Sequence, residues 1–126
     1  MQQKRIKNMK TLVLGASENP QRYSHKAIHA LRQYQHEVVA VGNKSGQVGD
    51  VVIHAEATPF AAIDTITLYL NPKVQEQYYD YILQLHPRRI LFNPGTENKE
   101  LSQLAQQNGI EIEEACTLVL LSSNQY

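Results

Sequence analysis

The chain is 126 residues long, room for one domain with one sizeable core. Its 42% hydrophobic and 19% charged residues describe a globular rather than a disordered composition. Twelve lysines and arginines balance twelve aspartates and glutamates, which leaves no global basic field to hold nucleic acid or anionic lipid. An anion site in such a chain must be local, built from backbone amides and one or two cations. The single cysteine, Cys116, excludes an internal disulfide and a multi-cysteine zinc cage, and suits a reducing cytoplasm.

Residues 1–9 are polar and basic without an apolar stretch, so they are expected to form a disordered lead-in rather than a signal peptide. The patterned sequence, expected as a single domain, runs over residues 10–126. No apolar run is long enough to span a bilayer, and the expected location is the cytoplasm.

Short apolar runs then alternate with amphipathic stretches, the mark of βαβ units around a parallel sheet. Thr11-Leu12-Val13-Leu14, ending at Gly15, predicts a first strand covered on both faces. From Ser24 to about Tyr34, the positions Ala27, Ile28, Leu31 and Tyr34 recur at helical spacing. Glu37 to Val41 predicts a second strand, closed by Gly42, and Val51-Val52-Ile53 a third. A brief helical turn is expected around Pro59 to Ala62.

Thr65 to Leu70 predicts a fourth strand that stops at Asn71-Pro72. Proline suits a first helical turn, and Val74, Tyr78, Tyr81, Ile82 and Leu85 mark one helical face after it. Arg89 to Phe92 predicts a fifth strand, and a helix is expected from about Glu97 to the stop at Asn108-Gly109. Ile110-Glu111-Ile112 is a candidate edge strand, and Cys116 to Leu121 an apolar closing segment of undefined type. The resulting fold class is α/β: a doubly wound, three-layer, Rossmann-like domain. Its five parallel strands are expected in the order 3-2-1-4-5, with the candidate edge strand beside them.

In an open parallel sheet, ligands bind beyond the carboxyl ends of the strands, near the point where strand order reverses. Turn residues gather at four such ends: Gly15 to Pro20, Gly42-Asn43-Lys44, Asn71-Pro72 and Asn93-Pro94-Gly95. Junction geometry alone accounts for any one of them. The first loop adds small residues that let amides approach a phosphate, with Ser17, Arg22 and Ser24 as further donors. It lacks the three-glycine dinucleotide fingerprint, since Gly15 is its one glycine. At the second junction, a NAD-binding domain would place an acid for the ribose hydroxyls. This chain has Lys44 there, which favours an additional phosphate, as on NADP or on the 3′-phosphorylated ribose of coenzyme A.

Taken in order, these residues resemble the stand-alone CoA-binding proteins, relatives of the nucleotide-binding domain of the succinyl-CoA synthetase α subunit. The resemblance runs from Lys10 to about Leu120. It is carried by Gly15-Ala16-Ser17 with Pro20, Arg22 and Ser24, then Val41 to Lys44, and Ile63-Asp64 leading to Asn71-Pro72. It continues through Asn93-Pro94-Gly95-Thr96-Glu97-Asn98 and closes on Gly109-Ile110-Glu111 before Cys116.

The resemblance implies a coenzyme A or acyl-CoA ligand. It puts Gly15, Ala16, Ser17, Arg22 and Ser24 at the phosphates, and Gly42, Asn43 and Lys44 near the outer phosphate. Leu70, Asn71 and Pro72 would border the adenosine, with Asn93 and Gly95 on the far side. The chain departs from the family in having Gly42-Asn43 where Asn-Pro is frequent. It also has Leu91, Phe92 and Asn93 at a junction where a tryptophan or glutamine is common.

No catalytic set emerges from the remaining residues. His25 and His29 lie one helical turn apart without a third ligand, as on any exposed helix face. His36, His54 and His86 have no partner visible in the sequence, and Cys116 reads as a buried small apolar residue. Tyr78 and Tyr81 read as core-facing beside Tyr79, and Glu18 and Asp64 lack a positioned partner for acid–base work. The expectation is a non-catalytic carrier, sensor or partner subunit for coenzyme A, with a protein partner or a second copy allowed. An NADP-binding redox module and a protein-interaction domain without tight nucleotide binding are the alternatives.

Overall fold

The computed structural model describes residues 8–126. The expected lead-in falls mostly on residues 1–7, outside the described residues. Its last two residues are bonded to the domain: Asn8 accepts the Glu37 amide at 2.8 Å, and the Met9 amide donates to His36 Nδ1 at 3.0 Å.

One sheet organises the chain. Strands β1 (Thr11–Leu14), β2 (Val38–Val41), β4 (Val51–His54), β5 (Thr65–Leu68), β6 (Arg89–Phe92) and β7 (Glu111–Glu114) are parallel, while β3 (Gly46–Val48) runs antiparallel to β4. Their order is β3-β4-β2-β1-β5-β6-β7. The order expected of the five predicted strands holds inside this sheet, but the count of five does not. β7 adds a parallel edge displaced slightly from Ile110–Ile112, and β3 adds an edge with no counterpart among the predicted strands.

The missing strand has a physical reason. Gly46 and Gln47 have little β propensity, and a three-residue edge strand buries little surface. Its signal lies in the turn: Val48 pairs with Val51 across the two-residue loop Gly49-Asp50. Gly49 takes φ +58°, a conformation glycine adopts without a Cβ penalty, at the first central position of a hairpin loop.

The central strands are apolar without interruption because both faces are covered. In β1, Leu12 and Leu14 join one buried cluster while Val13 joins the other. On the first face, Ile82 of α3 (Tyr79–Leu85) and Leu101 and Ala105 of α4 (Lys99–Gln107) pack against Ile66, Leu68, Ile90 and Phe92. On the second, Ile28 and Leu31 of α1 (Tyr23–Gln33) and Leu121 of α5 (Thr117–Ser122) cover Val38, Ala40 and Ile53. The fold is therefore the expected three-layer, Rossmann-like α/β arrangement.

Several local expectations are corrected. Residues 57–62 form no helical turn, because Ala62 takes φ +57° and the chain bends there. The helix after Asn71 is broken into α2 (Pro72–Gln75), a 3-10 turn (Glu76–Tyr78) and α3. Helix α4 starts at Lys99 rather than Glu97, since the Asn98 side chain caps it by accepting the Leu101 amide at 3.0 Å. The closing segment of undefined type is α5.

His36 has partners after all. It is buried, accepts the Met9 amide, and lies against the Tyr126 ring at 4.9 Å between centroids. His29 is exposed as expected of a surface helix, but His25 is half-buried, and its Nδ1 has no hydrogen-bond partner among the described residues. Cys116 is only partly buried, at the start of α5.

Candidate functional site

The loop from Gly15 to Arg22 leaves the carboxyl end of β1 at the centre of the sheet, with β2 on one side and β5 on the other. Gly15 has φ +99°, and a side chain there would press on Leu70, since an added Cβ would come within 2.9 Å of Leu70 Cδ2. The Gly15 and Ala16 amides both donate to the Val41 carbonyl, at 2.9 and 3.0 Å. Both are thus committed to joining the first loop to the end of β2.

Further along, the Asn19 amide donates to Ser17 Oγ, the Gln21 amide to Asn19 Oδ1, and the Arg22 amide to the Asn19 carbonyl. This turn network leaves the amides of Ser17 and Glu18 without a protein acceptor among the described residues. The loop can therefore offer an anion two backbone donors, and these are not the first two that the glycine-led pattern points to.

The opposite wall is the connection from β2 to β3. Gly42 is buried, and a Cβ on it would overlap the Ala16 carbonyl oxygen, so the two loops touch there. Beyond this contact they part into a cleft of about 240 Å³, lined by Ala16 to Asn19 and by Asn43 to Ser45. Ligand pockets for whole drug-sized molecules run to roughly 300–1,000 Å³. This cleft is sized for one end of a cofactor rather than all of it.

The cleft brings together four of the expected site residues, Ala16, Ser17, Asn43 and Lys44. It adds Glu18, Asn19 and Ser45. Lys44 is exposed and makes no ion pair among the described residues. Glu18 is held in place, its Oε2 accepting the Gln47 amide at 2.9 Å. That bond gives Glu18 the partner that sequence reading did not find, a backbone donor on β3. Because β3 itself was not foreseen, neither was the role of Glu18 in the wall.

The other expected residues lie elsewhere. Arg22 is exposed at the N-cap of α1, and Ser24 is buried in that helix's first turn. Leu70 packs toward Gly15, while Asn71 caps α2 by accepting the Val74 amide at 2.9 Å, with Pro72 in its first turn. Gly95 is exposed at φ +92°, and its amide donates to Glu97 Oε1 at 2.9 Å.

Asn93 points into the fold. Its Nδ2 donates to Thr67 Oγ1 and the Leu68 carbonyl at 2.7 and 2.9 Å, and its Oδ1 accepts the Thr117 amide at 2.9 Å. All its strong hydrogen-bonding capacity in this direction ties β5 and β6 to α5. Burial pushes the pKa of the nearby Tyr69 phenol up to about 12, against the opposing influence of the Thr117 and Thr67 hydroxyls, so it brings no charge to this end of the sheet.

A second polar network braces the far side of the strand ends. Gln75 is 0% exposed; its Nε2 donates to the Leu70 carbonyl at 2.7 Å and to the Thr96 carbonyl at 2.8 Å. Its Oε1 accepts from Asn98 Nδ2, which also donates to the Tyr79 hydroxyl, each at 2.9 Å. One buried amide thus ties the loop after β5 to the loop after β6. Asp64, at the opposite end of the strands, is engaged by Arg88 through two hydrogen bonds of 2.9 and 3.1 Å and by the Thr65 hydroxyl at 2.6 Å. It is a structural ion pair.

Among the described residues, no group of three or more His, Cys, Asp or Glu side chains could hold a metal, and no helix is long and apolar enough to cross a membrane. No curated protein matches the sequence. Among solved structures, an uncharacterized protein is similar at 44% identity and TM-score 0.93, covering 95% of this chain and 99% of its own. A hypothetical protein from Pyrococcus horikoshii OT3 is 21% identical at TM-score 0.83, over 92% of this chain and 83% of its own. A Thermus thermophilus protein is 18% identical at TM-score 0.82, over 94% and 91%. These last two likenesses speak for the fold alone. A family model described as the CoA binding domain matches residues 9–122, and the chain belongs to that family.

Proposed function

We propose that residues 10–126 act as one domain that binds coenzyme A or an acyl-CoA without catalysing a reaction, as a carrier, sensor or partner subunit in the cytoplasm. The observation that carries the reading is Lys44, without an ion pair among the described residues, in a cleft whose opposite loop leaves the Ser17 and Glu18 amides without an acceptor among them. An ammonium and two amides make a local anion site in a chain of zero net charge. Membership of the CoA-binding domain family supports coenzyme A as the source of that anion. A cleft of about 240 Å³ would take the phosphorylated ribose, and on this reading the pantetheine arm lies outside it.

Titration calorimetry with coenzyme A, dephospho-CoA and NADP tests the proposal. The expected ranking is coenzyme A tightest, with dephospho-CoA weakened by loss of the phosphate that Lys44 meets. Tighter binding of NADP would favour the redox-module reading, and no binding of any nucleotide would favour a protein-interaction domain.

A further inference from the structure

The cleft contains two charged side chains of opposite sign, Glu18 on one wall and Lys44 on the other. They make no ion pair with each other, so the space between them is open to a ligand. Glu18 is positioned by the fold, through the Gln47 amide and through a close approach to Gly46, where any Cβ would overlap its carboxyl group. That bond uses Oε2 alone, and Oε1 accepts nothing from the described residues. An ionised carboxylate has about four lone-pair sites, so Glu18, which lines the cleft, has spare acceptor capacity.

A carboxylate in an anion site is unfavourable unless the ligand brings a donor beside its negative charge. Water screens the repulsion at such an exposed position, whereas a hydrogen bond to an ionised acceptor is strong and directional. A 3′-phosphorylated ribose has the required pair, an anionic phosphate on one carbon and a free hydroxyl on the next. We infer that Glu18 is a specificity-determining residue, accepting a hydrogen bond from the ribose 2′-hydroxyl beside the phosphate that Lys44 neutralises. The inference rests on the coenzyme A reading and deepens it. The acid that a NAD-binding domain carries at the end of its second strand is, in this chain, supplied by the first loop, next to a lysine that accommodates the phosphate.

The test compares adenosine 3′,5′-bisphosphate with 2′-deoxyadenosine 3′,5′-bisphosphate, titrated into the wild-type chain, Glu18→Gln and Glu18→Ala, with coenzyme A as a control ligand. Wild type should bind the ribose form about tenfold or more tightly than the deoxy form, the size of a charge-assisted hydrogen bond. The ratio should shrink in Glu18→Gln and approach one in Glu18→Ala. The wild-type comparison needs no variant, so a folding defect cannot mask the result. Equal wild-type affinity for the two bisphosphates, with coenzyme A still bound, would overturn the role of Glu18 and leave the coenzyme A reading standing. A ratio that persists undiminished in both variants would assign the hydroxyl to another group. Absence of binding by coenzyme A and both bisphosphates would overturn the role of Glu18 and the coenzyme A reading together.

Discussion

Gly42 lies so close to Ala16 that a side chain at position 42 would overlap the Ala16 carbonyl oxygen. The contact sets the spacing of the two loops that form the cleft. Gly42→Ala should therefore force the loops apart, costing about 1–3 kcal/mol as overpacking does. Urea denaturation should register that loss, and calorimetry should show weaker coenzyme A binding. An unchanged midpoint would mean that the loops move apart freely.

Lys44 is exposed and makes no ion pair among the described residues, so its removal leaves no buried charge and should leave stability within about 0.5 kcal/mol of wild type. Lys44→Ala should weaken coenzyme A while leaving dephospho-CoA nearly unchanged, since a charge-assisted contact to phosphate contributes roughly 1.5–3 kcal/mol. Lys44→Glu should go further through like-charge repulsion. Equal losses for both ligands in calorimetry would place the 3′-phosphate elsewhere.

Gln75 joins two loops from inside the protein. Gln75→Leu nearly preserves volume but strands the Leu70 and Thr96 carbonyls and one Asn98 donor. Each buried group left unsatisfied costs about 1–3 kcal/mol, so the variant should lose at least about 2 kcal/mol. Differential scanning calorimetry should show a clear drop in Tm. A loss under about 0.5 kcal/mol would mean that water replaces the amide.

Stability should fall as pH drops from about 7 toward 5 because of His36. Burial, reinforced by the nearby Arg89 charge and opposed by Asp64, holds its pKa below the ordinary 6.5. Between the folded and unfolded values, the unfolded chain binds the extra proton, so stability declines as pH falls through that window and levels off below it. His36→Asn keeps an acceptor for the Met9 amide without titrating there. Its urea midpoint should be flatter than that of wild type from pH 7 to 5, and parallel profiles would dismiss His36 as the cause. Asp64 acts in a lower window: burial raises its pKa, but the bonds from Arg88 and Thr65 outweigh it, so its contribution is lost only as acid protonates the carboxylate below about pH 4.

The order of the central strands and the placement of α1 and α4 were legible in the sequence because each depends on short-range pattern. A short apolar run such as Thr11 to Leu14, stopped by Gly15, fits a strand covered on both faces, and Ala27, Ile28 and Leu31 make one apolar helix face. The position of Gly42 and Lys44 at the end of the second strand, beside the first loop, was also legible, since that strand end is a known ligand position. Which donors and acceptors remain free was not, because that depends on partners far away in the chain. The Val41 carbonyl takes the Gly15 and Ala16 amides, Asn93 is drawn inward by Thr67 and Thr117, and Gln47 of a hairpin without strong β propensity positions Glu18. Local periodicity determines which segments are buried, whereas the use of each polar group is decided only when tertiary packing brings its partner within about 3 Å.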